Sequence, residues 1–452
     1  MTEPTPQAPG ARPEPSRLSR WVVLLFLSLT MFGNYYIYDC INPLVDIFKA
    51  QLGFSDSQIG WLNAIYSVAA VLTLLIGGVI IDRIGTKKSL LGFSALCLVG
   101  AILTALEGGL PMMLAGRLVL GLGAESMIVA VTTALAKWFK GKELGFAFGL
   151  NLTIARLGSV AADNSPNWAA RVVSFDSWQQ PLFIGIGAGV ICAVAAMVYW
   201  GLEARAERRY ALGHAGETDK IVLGDVFRFS KSYWYIVALC FTFYSAIFPF
   251  RTFAIKFFME SHGASRGDAG ALNGLLPLSA MIATPLFGLL VDRVGRRAMF
   301  MALGSVLLMP VYLMMAYLPS TPTIQVWLPL FGAHVWPVSL FVSVIMMGVA
   351  FSLIPAVMWP SVAYIVGQGK LGTAYALMTL IQQIGFFALN LIIGKANDLA
   401  GASAINPQGY VAGMWIFSVL GILGVVFSLL LRRTEAGPGG HGLETITTAA
   451  PA

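Results

Sequence analysis

Two charged residues stand where charge is expensive. Glu125 lies at the middle of one long apolar run, and Arg156 lies at the middle of the next. An ionisable group at the centre of a bilayer costs roughly 3 kcal/mol or more, so each one marks a candidate site. The turn between the two runs falls near Lys140, almost midway in sequence between Glu125 and Arg156. On antiparallel helices this spacing sets both charges at nearly equal depth, close to the midplane. Arg156, Ser159 and Asp163 share one helix face by their i, i+3, i+7 spacing, and Glu125 shares one with Thr132. Two arrangements are open. The charges form a buried ion pair that holds the helices together, or they face a central cavity and present opposite charges to a ligand. A purely structural pair gives little net stability after desolvation, which favours the cavity. A zwitterion, with one ammonium and one carboxylate, matches both charges, and it can insert into a pair that is closed when empty.

Other polar residues fall near the same place. Asp39 and Arg251 lie at matching positions of two long apolar runs, the first of each half. Near the outer mouth they either form a gate contact or are separately solvated. Asn34, Tyr35, Tyr36 and Tyr38 lie in the first run, and Asn63 and Tyr66 in the second. Gln382, Phe386 and Asn390 form an i, i+4, i+8 stripe, with Gln383 alongside. Such groups either line a cavity or hydrogen-bond between helices. No histidine (His214, His262, His334, His441) is central in a run, which argues against a histidine proton relay. Glu125 is a group that can carry a proton. No phosphate-binding loop and no convergent His, Ser or metal cluster is visible, so neither ATP drive nor an embedded enzyme is supported, and no cofactor is expected beyond a coupled proton. Cys40, Cys97, Cys192 and Cys240 lie within or at the edge of apolar runs without a CxxC pair, and read as small buried hydrophobes.

The elements that must position these residues are membrane helices. Of 452 residues, 57% are apolar and 11% are charged, against roughly 25% charged in a soluble domain. This excludes a soluble enzyme, a nucleic-acid binder and a disordered scaffold. Twelve apolar segments cover 21–47, 58–81, 89–107, 112–136, 144–166, 181–203, 232–258, 268–291, 298–318, 338–366, 372–396 and 410–431. About 20 apolar residues suffice to span a bilayer. The expected organisation is a disordered tail over 1–20, six helices over 21–203, a linker over 204–231, six helices over 232–433 and a disordered tail over 434–452. No cleavable signal peptide is visible, so the first run stays as a helix. The Pro-containing stretch from Thr321 to Pro337 reads as a loop or an interfacial piece. Of the 29 Lys and Arg residues, 21 fall on the side of the termini, five on the other side and three within spans. That asymmetry puts both termini in the cytoplasm.

An internal repeat supports the division into two sets of six. Gly78, Asp82, Arg83, Gly85, Lys87 and Lys88 follow the second run. Gly288, Asp292, Arg293, Gly295, Arg296 and Arg297 follow the eighth, with the same G-x-x-x-D-R-x-G spacing. This resembles the duplicated signature loop of the major facilitator superfamily, and Arg117, Gly121 and Gly123 resemble a second motif of it. The resemblance implies two parallel six-helix bundles with a site between them, a rocker-switch cycle, and an Asp82 latch near Gly372 and Thr373. Asp82 sits at the negative end of a helix dipole and needs such compensation.

Further stretches resemble one branch, the lysosomal dipeptide transporter family. They are Met31 to Tyr36 with Tyr38 and Asp39, Gly123 to Ser126, Trp138 to Leu144, Ala155 to Ser159, Phe248 to Phe250, Trp359-Pro360 and Leu371 to Tyr375. The resemblance implies passive dipeptide transport, with Glu125 taking the peptide amine and Arg156 its carboxylate. Trp359 joins the candidate binding residues on the same ground. An organic-anion symporter, with Arg156 on the carboxylate and Glu125 carrying a proton, is the alternative. The expected partners are a small-molecule substrate and membrane lipids, not nucleic acid, and the expected assembly is a monomer. The compact loops and the absence of an acidic dileucine signal suit a bacterial inner membrane better than a lysosomal one.

Overall fold

Among the described residues eleven helices are long and apolar enough to cross a membrane, and a twelfth qualifies once its bend is allowed. The computed structural model describes residues 13–139, 143–210, 212, 228–328, 332–367 and 370–447. The first half holds α1 (Arg17–Asp39), α2 (Asp56–Ile84), α3 (Thr86–Ala105), α4 (Gly109–Phe139), α5 (Leu144–Asp163) and α6 (Gln180–Arg209). The second holds α7 (Lys231–His262), α8 (Arg266–Val294), α9 (Arg297–Tyr317), α10 (Val338–Ile365), α11 (Leu371–Leu399) and α12 (Val411–Glu435). The bend is in α2, where Asp56–Thr73 and Ile76–Ile84 meet at 53°. The chain is a multi-pass membrane protein of two six-helix bundles.

Local signals repeat between the halves. Ser16, Ser55, Ser230 and Ser265 cap α1, α2, α7 and α8, and each side chain accepts from the backbone N–H three residues on. A serine there satisfies one of the four orphan donors at a helix start. At Ser55 the Gln58 side chain returns the bond, closing a capping box.

Close helix packing accounts for the second glycine motif. A Cβ on Gly121 would lie 2.6 Å from the Tyr66 carbonyl oxygen, and one on Gly123 would lie 2.6 Å from that of Phe93. The i, i+2 spacing thus lets α4 touch α2 on one side and α3 on the other. Gly121→Ala should lower the melting midpoint of the detergent-purified protein by several degrees, because overpacking a core costs about 1–3 kcal/mol. An unchanged midpoint would refute this packing role.

Three sequence expectations need correction. The stretch read as a loop over Thr321–Pro337 contains an antiparallel hairpin, β1 (Thr323–Leu328) paired with β2 (Gly332–Pro337), with Thr323 opposite Pro337 and Leu328 opposite Gly332. Three prolines concealed it, but they flank the ladder (Pro322 before it, Pro329 outside the described residues) or end it at Pro337. The tail expected to be disordered over 434–452 is ordered through 447. Arg296 and Arg297 donate backbone bonds to Glu444 and Leu443, each at 3.1 Å, and Leu443 is buried. Most of the expected linker, and residues 1–12 of the tail expected over 1–20, lie outside the described residues, whereas Arg17 to Arg20 of that tail form the first turn of α1, capped by Ser16.

Candidate functional site

Between the halves lies a cavity of about 280 Å³. The first half lines it with Asn34, Tyr35, Tyr38, Asp39, Tyr66, Glu125, Ile128, Arg156 and Ser159. The second adds Tyr244, Phe248, Trp359, Thr379, Gln382, Gln383 and Phe386. All nine residues expected to bind substrate are therefore on its wall.

The two membrane charges do not pair with each other. Glu125 Oε1 accepts from the Tyr66 hydroxyl at 2.9 Å and from Gln383 Nε2 at 3.3 Å. The Arg156 guanidinium lies over two rings, 5.5 Å from the Tyr35 centroid and 5.4 Å from that of Phe351. Among the described residues neither charge has an oppositely charged group within the 4.0 Å of an ion pair. The arrangement as a structural pair is thus excluded in this conformation. Aromatic faces hold a guanidinium through the ring quadrupole without neutralising it. Trp359 Nε1 donates to the Tyr244 hydroxyl at 2.9 Å, and Phe248 packs 4.8 Å from Phe386 between ring centroids. The second half thus gives the cavity a largely aromatic wall.

Away from the chain termini the cavity is sealed by charge. Arg251 lies 2.7 Å from Asp163 Oδ2 and 3.4 Å from Asp39 Oδ2. Asn42 Nδ2 bridges the other oxygens, at 3.0 Å to Asp39 and 3.2 Å to Asp163. All four side chains are buried. Of the two arrangements open for Asp39 and Arg251, the contact is the one found, with Asp163 as a third member. Five residues along α7, roughly 7.5 Å at the helical rise, Lys256 Nζ bonds both oxygens of Asp56 at 2.8 Å. Lys49 adds a contact to Asp56 at 2.9 Å. Asp398 of α11 accepts from the Asp56 and Ser57 backbone at 2.8 Å each, capping α2 from the opposite half. Asp46 and Arg266 form a further pair across the halves.

Backbone packing between the halves is close on the same side. A Cβ on Gly60 of α2 would lie 2.4 Å from the Asn390 carbonyl oxygen of α11. One on Gly270 of α8 would lie 2.2 Å from the Asp163 carbonyl oxygen of α5. Charge and helix contact therefore close this face together.

Arg117, the intramembrane arginine of the second motif, is an anchor rather than a ligand group. It donates to the carbonyls of Leu62 and Tyr38 and to Asn63 Oδ1, the last at 2.7 Å. Asn63 passes the contact to Thr252 at 3.2 Å, and Thr252 to Asn390 at 3.0 Å, in the other half.

The signature loops lie at the opposite face, with the termini. Gly85 and Gly295 have φ of +81° and +72°, left-handed values that suit glycine in the tight turns between helices. Asp82, Arg83 and Arg293 are exposed, and Arg297 pairs with Asp292 at 2.7 Å within its own loop. Asp82 stands near the end of α2 and the buried Thr373 near the start of α11. These two helices pack against each other across the halves.

The family model described as Major Facilitator Superfamily matches residues 27–331 and 252–448. The chain belongs to the major facilitator superfamily. It is 31% identical to the lysosomal dipeptide transporter MFSD1 of Homo sapiens over 450 residues, 96% of this chain and 91% of that one. It is 33% identical to the protein of the same name from Danio rerio, over 85% and 82% of the two chains. The hexuronate transporter of Escherichia coli is 21% identical over 92% of this chain and 94% of its own length. Two solved transporters share the fold. The nucleoside transporter NupG has a TM-score of 0.71 at 14% identity, over 92% of this chain and 99% of that one. An inward-facing, unoccupied bacterial homologue of Spinster has a TM-score of 0.70 at 16% identity, over 93% and 98%.

Within this facilitator several site residues were not singled out from sequence. Tyr244 and Thr379 line the cavity, and Asp56 with Lys256 forms a second seal. Asp163 was placed on the Arg156 face, but its partner Arg251 lies 88 residues away. A helix-face pattern carries no signal for that pairing, because the partner belongs to the other half.

Proposed function

We infer that this facilitator moves dipeptides, or zwitterions of similar size, by alternating access between its halves. The observation that carries the reading is that Glu125 and Arg156 share one cavity, and neither has a counterion among the described residues. A dipeptide brings both, an ammonium for Glu125 and a carboxylate for Arg156. The volume of about 280 Å³ lies just below the usual range of ligand sites, roughly 300–1,000 Å³, and suits a dipeptide better than a longer peptide. The MFSD1 relatives support the same substrate class. The chain acts as a monomer, with both cavity walls supplied in cis. Its termini face the cytoplasm, as the excess of Lys and Arg there supports, and the compact loops suit a bacterial inner membrane. Sealed away from the termini, the cavity then belongs to the inward-facing state, and Asp82 serves as a latch against α11 at the cytoplasmic face.

A second reading has one observation in its favour. Among the described residues Glu125 is held by neutral donors, Tyr66 and Gln383, and such a carboxylate can carry a proton. In an organic-anion symporter Arg156 would bind the anion while Glu125 is protonated.

A thermal-shift screen separates the two. Dipeptides at millimolar concentration should raise the melting midpoint of the purified protein, and hexuronates should not, since a ligand at 100 times its Kd contributes about 2.7 kcal/mol. Stabilisation by hexuronates alone would overturn the dipeptide reading. Uptake into proteoliposomes with and without a pH gradient then decides uniport against proton symport.

A further inference from the structure

Two side chains on the cavity wall carry a buried polar atom with no hydrogen-bond partner among the described residues, Gln383 Oε1 and Ser159 Oγ. The residues are 3% and 0% exposed. Buried polar atoms are nearly always satisfied, so an exception beside a ligand cavity is informative. The two atoms have opposite surroundings. Gln383 gives its Nε2 to Glu125 Oε1. A carboxylate accepts and does not donate, which fixes the amide orientation and makes Oε1 the unused acceptor next to the anionic residue. Ser159 follows Arg156 by three residues on α5, one helical turn away on the same face. Its hydroxyl is an unused donor next to the cationic residue.

We propose that Gln383 and Ser159 complete the two ends of the substrate site. Gln383 Oε1 accepts from the substrate ammonium together with Glu125, and Ser159 Oγ donates to the substrate carboxylate together with Arg156. The assignment rests on the dipeptide reading above and adds which neutral groups read each terminus. The numbers of bonds agree. An ammonium has three donors and a carboxylate about four acceptor sites, more than one Glu125 oxygen and one guanidinium fork engage. Glu125 Oε1 is already taken twice, by Tyr66 and Gln383, so Oε2 and the Gln383 oxygen are the acceptors that remain. The placement has a mechanical consequence. Glu125, Arg156 and Ser159 belong to the first half, whereas Gln383 stands on α11 of the second. The ammonium is therefore the substrate group that both halves grip, and a blocked amine loses the link between binding and closure.

The test uses the full-length protein with alanyl-alanine, its N-acetyl form and its C-terminal amide, measured by titration calorimetry. Gln383→Ala should weaken alanyl-alanine about tenfold, the scale of a hydrogen bond to a charged group, and leave the N-acetyl form unchanged. Ser159→Ala should weaken alanyl-alanine and spare the amide. Gln383→Leu, closer in size, should repeat the alanine result and keeps the test available if alanine disturbs folding. A purely structural role would weaken all three ligands alike, and that result, or no loss at all, overturns the assignment while leaving the dipeptide reading intact. If the wild-type protein binds none of the three, the assignment falls together with that reading.

Discussion

Arg156→Ala and Glu125→Gln should each abolish dipeptide uptake in proteoliposomes while leaving the empty protein folded. Both halves of this expectation come from the same geometry. Removing one partner of a buried, charge-assisted contact to a ligand costs about 2–5 kcal/mol, a loss of roughly 30-fold to several thousand-fold in affinity. In the empty protein neither residue neutralises another, so neither substitution strands an opposite charge. Glutamine at 125 keeps a carbonyl oxygen for the Tyr66 hydroxyl and for Gln383. Alanine at 156 removes a guanidinium held by the Tyr35 and Phe351 rings. The melting midpoint without ligand should stay near that of the wild type, and the dipeptide-induced rise should vanish. Arg156→Lys separates charge from shape. It keeps the cation but loses the bidentate fork, so partial uptake with a raised KM is expected. Normal uptake by both Arg156→Ala and Glu125→Gln would sink the cavity assignment.

How much of this was legible in the sequence depends on the range of each signal. The apolar runs, the duplicated signature loop and the equal depth of Glu125 and Arg156 are set by helical rise and by hydrophobic length, both local quantities. All nine candidate binding residues lie on the cavity wall, whereas Asn63 and Asn390, weighed with them, hydrogen-bond between helices instead. The Asp39–Arg251 contact was open from sequence and became definite only with Asp163 and Asn42 in place. Its members come from α1, the turn after it, α5 and α7, and only the packing of the two halves brings them together. The second seal at Asp56, Lys256 and Asp398 was missed for the same reason, since each residue alone reads as a solvated helix end. The hairpin at 323–337 was concealed because prolines that bound a ladder look, in sequence, like prolines that forbid one. The ordered segment after α12 went unread because its contacts are to Arg296 and Arg297, at the distant start of α9.

Arg251→Met should shift the protein away from the state sealed opposite the termini and toward one that opens at that sealed face. Arg251 separates two buried carboxylates, with Asp163 at 2.7 Å and Asp39 at 3.4 Å. Without it, Asn42 alone bridges two like charges away from water. Breaking a buried ion pair from one side costs about 3–5 kcal/mol. Opening that face hydrates both carboxylates and relieves the cost, so the equilibrium between the two states moves by a factor of roughly 10² to several thousand, against the 10⁴ that takes a population from 1:99 to 99:1. Spin labels at Asp176 and Ala404, on loops of opposite halves, should report a longer mean separation, and uptake should fall, because the proposed alternating-access cycle closes that face once per turnover. The layered seal sets an order of effects. Lys256→Met removes a cation from Asp56, yet Lys49 at 2.9 Å remains, so the shift should be smaller than that of Arg251→Met. Replacing the whole inner cluster with Asp39→Asn, Asp163→Asn and Arg251→Met leaves no charge to hydrate, and the separation should return toward the wild-type value. If the single variant and the triple variant behave alike, the inner seal does not act through charge, and the closed face must be held by the α2–α11 and α5–α8 packing alone.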